Sequence, residues 1–446
     1  MKSIMNNNQA NLPSHRLSRL ARLGKLASGV AGSMLYQGSK QWLKGETPNK
    51  QDLLLSPQNL QRFSQELAKL RGAAMKVGQL LSMDAGDLLP PELASLLANL
   101  RNQAPSMPLS QLQKQLAQHW GQNWSEQFTQ FSFYPIAAAS IGQVHRARNL
   151  EGYELAIKIQ YPGVAQSISS DVDNLATLLS WSRLIPADVD LKPIIEEAKQ
   201  QLLLEADYQH EAQAMAKIAN NITQRGLEEK FAVPTCQPQH SNAQILAMSF
   251  MAGEPIEQLK HKPQAERDRA MSHLFELLFL ELFDWQLVQT DPNFANFLYQ
   301  PDTQRIGLLD FGATRKYNPA IAQGYRQLIS GALEQNLGVM EQAAEQIGFF
   351  QKNILPEQKA SVMQLFHQAC EPLCQTGTFD FANSDLIARI KQKGMALSFE
   401  QNYWHSPPAD ALFFHRKLGG LYLLAAQLGA RVNLQSLFEP YRISMV

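Results

Sequence analysis

Cysteine is scarce in this chain: Cys236, Cys370 and Cys374 are the only three in 446 residues. That excludes a disulfide framework and fits a reducing compartment. Cys370 and Cys374 have the spacing to share a helix face, but Pro372 between them interrupts a regular helix. No further cysteine or nearby histidine cluster completes a metal site, so the two read as small buried apolar residues. Excess charge is also lacking. Forty basic and forty acidic residues leave a net charge of zero, which argues against a nucleic-acid partner. There is no run of about eighteen uncharged apolar residues, so no transmembrane helix is expected. The most apolar stretch, Leu274 to Val288, is interrupted by Glu276, Glu281 and Asp284 and reads as a buried helix of a soluble domain. Repeats and low-complexity tracts are absent as well.

What remains is an ordinary globular composition, 45% hydrophobic and 18% charged, long enough for about three domain-sized units. The first 50 residues stand apart, with eight Lys or Arg and a single acid, Glu46. Arg16, Arg19, Arg22 and Lys25 recur at helical spacing among Leu17, Leu20, Leu23 and Leu26. Two readings stand first: a basic segment lying on an anionic membrane surface, or a helix with a solvated basic face packed on a neighbouring helix or subunit. An Arg-rich, acid-poor transit peptide ranks below them, since the first ten residues carry no Arg and several Asn. From Gln58 to Leu70, Gly72 to Met83 and Pro108 to Gln118 the apolar residues repeat at helical spacing. Short strands are predicted over Phe131 to Ala147, Tyr153 to Tyr161 and Gln244 to Phe250, with helix over 164–230 between them. Helix is predicted again over 264–288. A loop at 289–296, short strands at Phe297–Tyr299 and Ile306–Leu309, and a helical remainder from about 318 complete the chain.

The chemistry lies in an ordered series of motifs. Lys158 sits in the apolar strand Glu154–Ile159, where a buried lysine is costly without a partner. The pattern matches V-A-I-K, whose lysine holds nucleotide phosphates. Upstream, Ala137, Ala138, Ala139 and Ser140 occupy the place of a glycine-rich phosphate-covering loop. Small residues there let backbone N–H groups approach phosphate oxygens, though alanine lacks the φ > 0 freedom of glycine. Met248, on the strand Gln244–Phe250, is added to the nucleotide contacts. Downstream, Glu205, Asp207 and Glu211 fall on one predicted helix. Glu211 is the expected partner of Lys158. Glu205, six residues earlier, points about 120° away and needs a second cation, for which Lys76 in Lys76-Val77-Gly78-Gln79 is the candidate. Then Asp291 is followed five residues later by Asn296, and Asp310-Phe311-Gly312 closes an apolar strand. That spacing is the one used by kinase catalytic and metal loops. Asn296 and Asp310 offer the hard oxygens that magnesium prefers. Each motif alone is weak; in this order they point to a site for ATP and Mg2+.

The set resembles the UbiB/AarF (ADCK-type) family of atypical protein-kinase-like proteins. Three features carry the resemblance: Lys76-Val77-Gly78-Gln79 ahead of the kinase-like part, Ala137-Ala138-Ala139-Ser140, and Glu205-Ala206-Asp207 with Glu211. Phe414 to Gly420 also looks like the family's last helices, and the likeness runs over about residues 55–440. It implies an α+β, protein-kinase-like two-lobe fold with an N-terminal helical extension and a mainly helical C-terminal lobe. The expected divisions are a basic, partly disordered segment at 1–50, an extension at 51–125, an N-lobe at 126–255 and a C-lobe at 256–446. By residue match, Lys76, Gly78, Gln79, Glu205 and Asp207 form the occluding element over the site, with Lys76 paired to Glu205. Asp291 stands at the catalytic-base position.

For function, the resemblance implies an ATP-dependent phosphotransferase or ATPase rather than a clear protein kinase, supporting ubiquinone or related isoprenoid-lipid metabolism. The implied partners are a lipid or isoprenoid-related small molecule, an anionic membrane surface, lipid-biosynthesis enzymes and a second copy of the chain. The implied location is the cytoplasm, peripheral on the inner membrane in a bacterium, in preference to a mitochondrion. The chain departs from the family's H-x-D-x-H-P-G-N loop: Gln289, Asn293, Phe294 and Ala295 replace the first His, the second His, Pro and Gly. Asp291 and Asn296 remain, so metal binding is expected to survive better than turnover. A nucleotide-switched scaffold or lipid-binding pseudokinase with little turnover is the alternative.

Overall fold

The computed structural model describes residues 106–182, 192–401, 403 and 407–443, with scattered positions between 28 and 77. Along the chain run helix α1 (Leu109–Trp120), strands β1 (Phe128–Phe131), β2 (Ala137–Ala138), β3 (Gly142–Asn149) and β4 (Glu154–Gln160), then helices α2 (Val164–Ser182), α3 (Lys192–Glu205) and α4 (Tyr208–Gln224). Strand β5 (Ile245–Ser249) and helix α5 (Gln264–Phe279) follow. A π-helical turn, Leu280–Trp285, leads into β6 (Leu287–Gln289), β7 (Phe297–Gln300), β8 (Arg305–Leu308) and β9 (Thr314–Lys316). The remaining long elements are α6 (Pro319–Leu333), α7 (Leu337–Ile347), α8 (Pro356–Ala369), α9 (Leu386–Met395) and α10 (Ala409–Leu428).

Two compact units divide these elements: residues 1–83, 87–209 and 237–250 form the first, and residues 84–86, 210–236 and 251–446 the second. The first is built on an antiparallel sheet in the order β1-β3-β4-β5, with β2 paired to β3. Alternation along β4 explains its role. Leu155, Ile157 and Ile159 are fully buried in one cluster with Leu112 and Leu116 of α1, Trp124, Phe128 and Ile245. The intervening Ala156, Lys158 and Gln160 therefore project from the opposite face of the sheet. At the described positions between 58 and 77, Gln58, Asn59, Arg62, Leu67, Gly72–Ala74, Lys76 and Val77 are helical, as their apolar spacing predicts.

The second unit is mainly helical, with three small sheets among the described residues. Within it β8 pairs antiparallel with β7 and parallel with Phe231–Ala232, and β6 pairs with β9. Helix does not persist to residue 288. The α5 helix ends at Phe279, passes through the π turn, reverses at Gln286 with φ 48°, and enters β6 because that strand finds its partner in Thr314–Lys316. The acids interrupting this apolar stretch are each paired: Glu276 with Lys230, Glu281 with Lys417 and Asp284 with Arg225. Among the described residues, no helix is long and apolar enough to cross a membrane. The Arg16–Lys25 segment lies outside them. Cys370 caps α8, and Pro372 is accommodated by starting a new four-residue turn, Glu371–Cys374. Both cysteines are free, and burial pushes the Cys370 thiol well above its usual range.

Candidate functional site

In the first unit, Lys158 is buried, and its ammonium lies 5.3 Å from the centre of the Tyr208 ring, within cation–π range. It is not a surface lysine. Ala137 and Ala138 belong to β2, paired with Val144 and Gln143, so the turn that replaces a glycine-rich loop narrows to Ala139–Ile141. The Ala139 N–H donates to Gly142 O at 2.9 Å, closing that turn. Met248 is buried on β5 opposite Ala156.

Lys76, Ser140 and Glu205 come together. The Lys76 ammonium donates to one carboxylate oxygen of Glu205, and the Ser140 hydroxyl donates to the other at 2.5 Å. Lys76 and Glu205 side chains are 5% and 14% exposed, so the pair is shielded from the solvent screening that weakens surface ion pairs. One turn earlier on the same helical face, a Cβ at Gly72 would meet Ser140 O at 3.2 Å. The small residue lets the extension lie against the alanine-rich turn. Gly78 and Gln79 lie outside the described residues.

Glu205 and Glu211 do not share a helix. Glu205 ends α3, and α4 starts at Tyr208. Asp207 makes the break, its carboxylate accepting from the Gln209 N–H at 3.1 Å, the side-chain-to-backbone bond that favours a helix start over continuation. Gln160 fastens the same break by donating to Ala206 O at 2.7 Å. Glu211 belongs to the second unit and is buried in the first turn of α4, where the helix dipole favours a carboxylate.

The second unit gathers Asp291, Asn296 and Asp310. Asn296 Nδ2 lies 3.4 Å from Asp291 Oδ2. The Leu309 N–H donates to Asn296 O at 3.0 Å, tying the two loops together next to Asp310. Asp310 Oδ1 accepts from Gly312 N at 3.0 Å, shaping the turn after the strand. Asn296 and Asp310 line one small cavity of about 10 Å³ with Gln289, Phe297, Glu281 and Lys417, room for about one water-sized group. Gln289 Oε1 is buried in that lining without a hydrogen-bond partner. Of the four oxygen-bearing side chains on that lining, Glu281 is taken up by Lys417. Gln289, with its unsatisfied buried acceptor, Asn296 and Asp310 offer oxygens that fit a hard cation such as magnesium.

Three further residues bear on this loop: Glu281, and Arg416 and Lys417 from the Phe414–Gly420 stretch. Arg416 Nη2 approaches Asp291 Oδ1 to 3.7 Å. Lys417 pairs with Glu281, both almost fully buried. Burial pushes the Glu281 carboxyl up and the Lys417 ammonium down, while their mutual attraction opposes both shifts. An acid inside the apolar stretch 274–288 was the available signal, since a buried charge requires a partner.

The β-sheet unit with its strand lysine and the helical unit with its paired acidic loops define a protein-kinase-like fold. The ABC1 atypical kinase-like domain model matches residues 99–344. The chain is 35% identical to the mitochondrial atypical kinase COQ8 of Saccharomyces cerevisiae over 433 residues, covering 96% of this chain and 85% of that protein. It is 34% identical to mitochondrial coq-8 of Caenorhabditis elegans, covering 98% of this chain and 58% of that one. Mitochondrial COQ8B of Rattus norvegicus is 32% identical, with 96% and 80% covered. Among solved structures, Rv3197 of Mycobacterium tuberculosis in complex with erythromycin is similar at a TM-score of 0.58 and 26% identity, covering 85% of this chain and 94% of that one. The chain belongs to the ABC1 atypical kinase-like family.

Proposed function

We propose that this chain binds ATP with magnesium and turns it over as an atypical kinase or ATPase acting on a lipid or isoprenoid-related molecule, in support of ubiquinone or related isoprenoid-lipid metabolism. The observation that carries the reading is the gathering of Asp291, Asn296 and Asp310, two of them on the lining of one small cavity. In this reading Asn296 and Asp310 hold magnesium, which when bound neutralises phosphate oxygens. Lys158 holds the nucleotide phosphates, Glu211 orients Lys158, Asp291 accepts the proton of the attacking hydroxyl or water, and β2 with its Ala139–Ile141 turn, carrying Ala137, Ala138, Ala139 and Ser140, covers the phosphates. Met248 contacts the base side of the nucleotide. Protein phosphorylation is disfavoured: no A-P-E segment follows Asp310, and Lys76 is engaged by Glu205. The Lys76–Gln79 element and Asp207 are assigned to occlusion of the site.

A second reading, a nucleotide-switched scaffold with little turnover, is supported by Gln289, Asn293, Phe294 and Ala295 in the catalytic loop. Peripheral attachment to an anionic membrane through Arg16–Lys25, association with lipid-biosynthesis enzymes and pairing with a second copy belong to the same proposal. ATP hydrolysis measured with and without anionic liposomes separates the two readings. Stimulated turnover that is lost in Asp291→Asn supports the enzyme; nucleotide binding without turnover in the wild type supports the scaffold.

A further inference from the structure

Lys417 and Glu281 have side chains 3% and 2% exposed, and the chemistry proposed above uses neither. Desolvating two charges costs several kcal/mol for each ion, and an apolar pair of similar volume is usually as stable or more so. Stability therefore gives no reason for charge at these positions. What a charged pair supplies is direction. Glu281 stands in the π turn, a geometry frequent at functional sites, and its side chain lines the same small cavity as Gln289. Gln289 ends β6, two residues before Asp291.

Lys417 comes from α10, and that helix meets the same loop at two further points. Arg416 approaches the Asp291 carboxylate at 3.7 Å. A Cβ at Gly420 would stand 2.8 Å from Pro292 Cβ, so the helix lies flush against the loop backbone. Asp291 and Pro292 are thus each met by α10, and Gln289 shares a cavity lining with Glu281 and Lys417. The pair also lines the cavity shared by Asn296 and Asp310.

We infer that Glu281 and Lys417 form a positioning pair that clamps the end of β6, and so sets Asp291 against Asn296 and Asp310, without touching substrate. Its consequence for turnover rests on the Mg-ATP reading; the clamp itself does not.

The test compares two double variants with the wild type, because either single change leaves a buried charge uncompensated. Glu281→Leu with Lys417→Met removes charge and acceptor together. Glu281→Gln with Lys417→Met removes charge but keeps a polar side chain of the same shape facing Gln289. Amide exchange over 287–296 is measured on nucleotide-free protein, beside the melting temperature and the kcat and KM for ATP. The leucine variant is expected to melt at or above the wild type, with loop exchange about tenfold faster and kcat down by roughly 100-fold at nearly unchanged KM. The glutamine variant is expected to recover most of the loop protection. Wild-type exchange in the leucine variant, or equal exchange in the two variants, overturns the inference. Should the leucine variant fail to fold, the glutamine variant decides alone: retained protection supports the clamp and lost protection overturns it. A wild type that does not bind Mg-ATP defeats the functional reading, while the exchange measurement still decides the clamp.

Discussion

Replacing Lys76 with methionine removes one partner from a shielded ion pair and leaves Glu205 bonded to Ser140 alone. Breaking a buried pair typically costs 3–5 kcal/mol. Glu205 retains 14% exposure, so the low end applies, about 3 kcal/mol. Glu205→Leu strands the ammonium of Lys76, which is less exposed still, and its cost is expected to be at least as large. The double variant strands neither charge, so its cost falls short of the sum of the singles by about 2 kcal/mol or more. Ser140→Ala loses one hydrogen bond to a charged acceptor, about 1.5–3 kcal/mol, and only while Glu205 is present. Urea unfolding of the single and double variants measures these terms, since a loss of 3 kcal/mol moves the midpoint by about 1 M at a slope near 3 kcal/mol/M. Additive single-variant costs would show that the three side chains are not coupled, and the account of a fastened extension would fail.

Three further outcomes are expected. Gly420→Ala gains up to about 1 kcal/mol of helix propensity but drives a methyl to 2.8 Å from Pro292; turnover should fall, and unchanged turnover with raised stability would show that α10 does not support the loop. His415, partly buried and 3.0 Å from the Tyr325 hydroxyl, is held neutral by burial with its pKa lowered to about 4. The unfolded chain binds the extra proton first as pH falls through 6.5, so stability should drop by about 2 kcal/mol between pH 7 and pH 5; denaturation curves of His415→Phe should lack that share of the slope. Deleting residues 1–35 should weaken sedimentation with anionic liposomes, and equal binding by the truncated chain would assign the basic segment to packing.

Periodicity made most of this fold legible. The alternation along 153–161 placed β4 and the face that carries Lys158, because one face of the sheet is buried against α1 and register follows that burial. The candidate site residues could be named because their order and spacing along the chain are themselves the signal. Two boundaries were not legible. Helix propensity runs through both 203–211 and 280–288; the local Asp207 bond and the long-range Gln160 bond end the helix at the first, and the pairing of β6 with β9 ends it at the second. Glu281, Arg416 and Lys417 were invisible as a group because their partners lie about 125 residues or more away in sequence. A charge in an apolar stretch announces that a partner exists but does not say where.

The central claim is a magnesium-dependent nucleotide site. It is tested most directly by calorimetric titration of ATP, with and without Mg2+, into the wild type and Asp310→Asn, alongside melting temperatures. Binding to the wild type should require magnesium and raise its stability by about 2.7 kcal/mol at a hundredfold excess over Kd, and Asp310→Asn should lose both effects. Absence of binding to the wild type at millimolar Mg-ATP, or unchanged affinity in Asp310→Asn, would contradict the account.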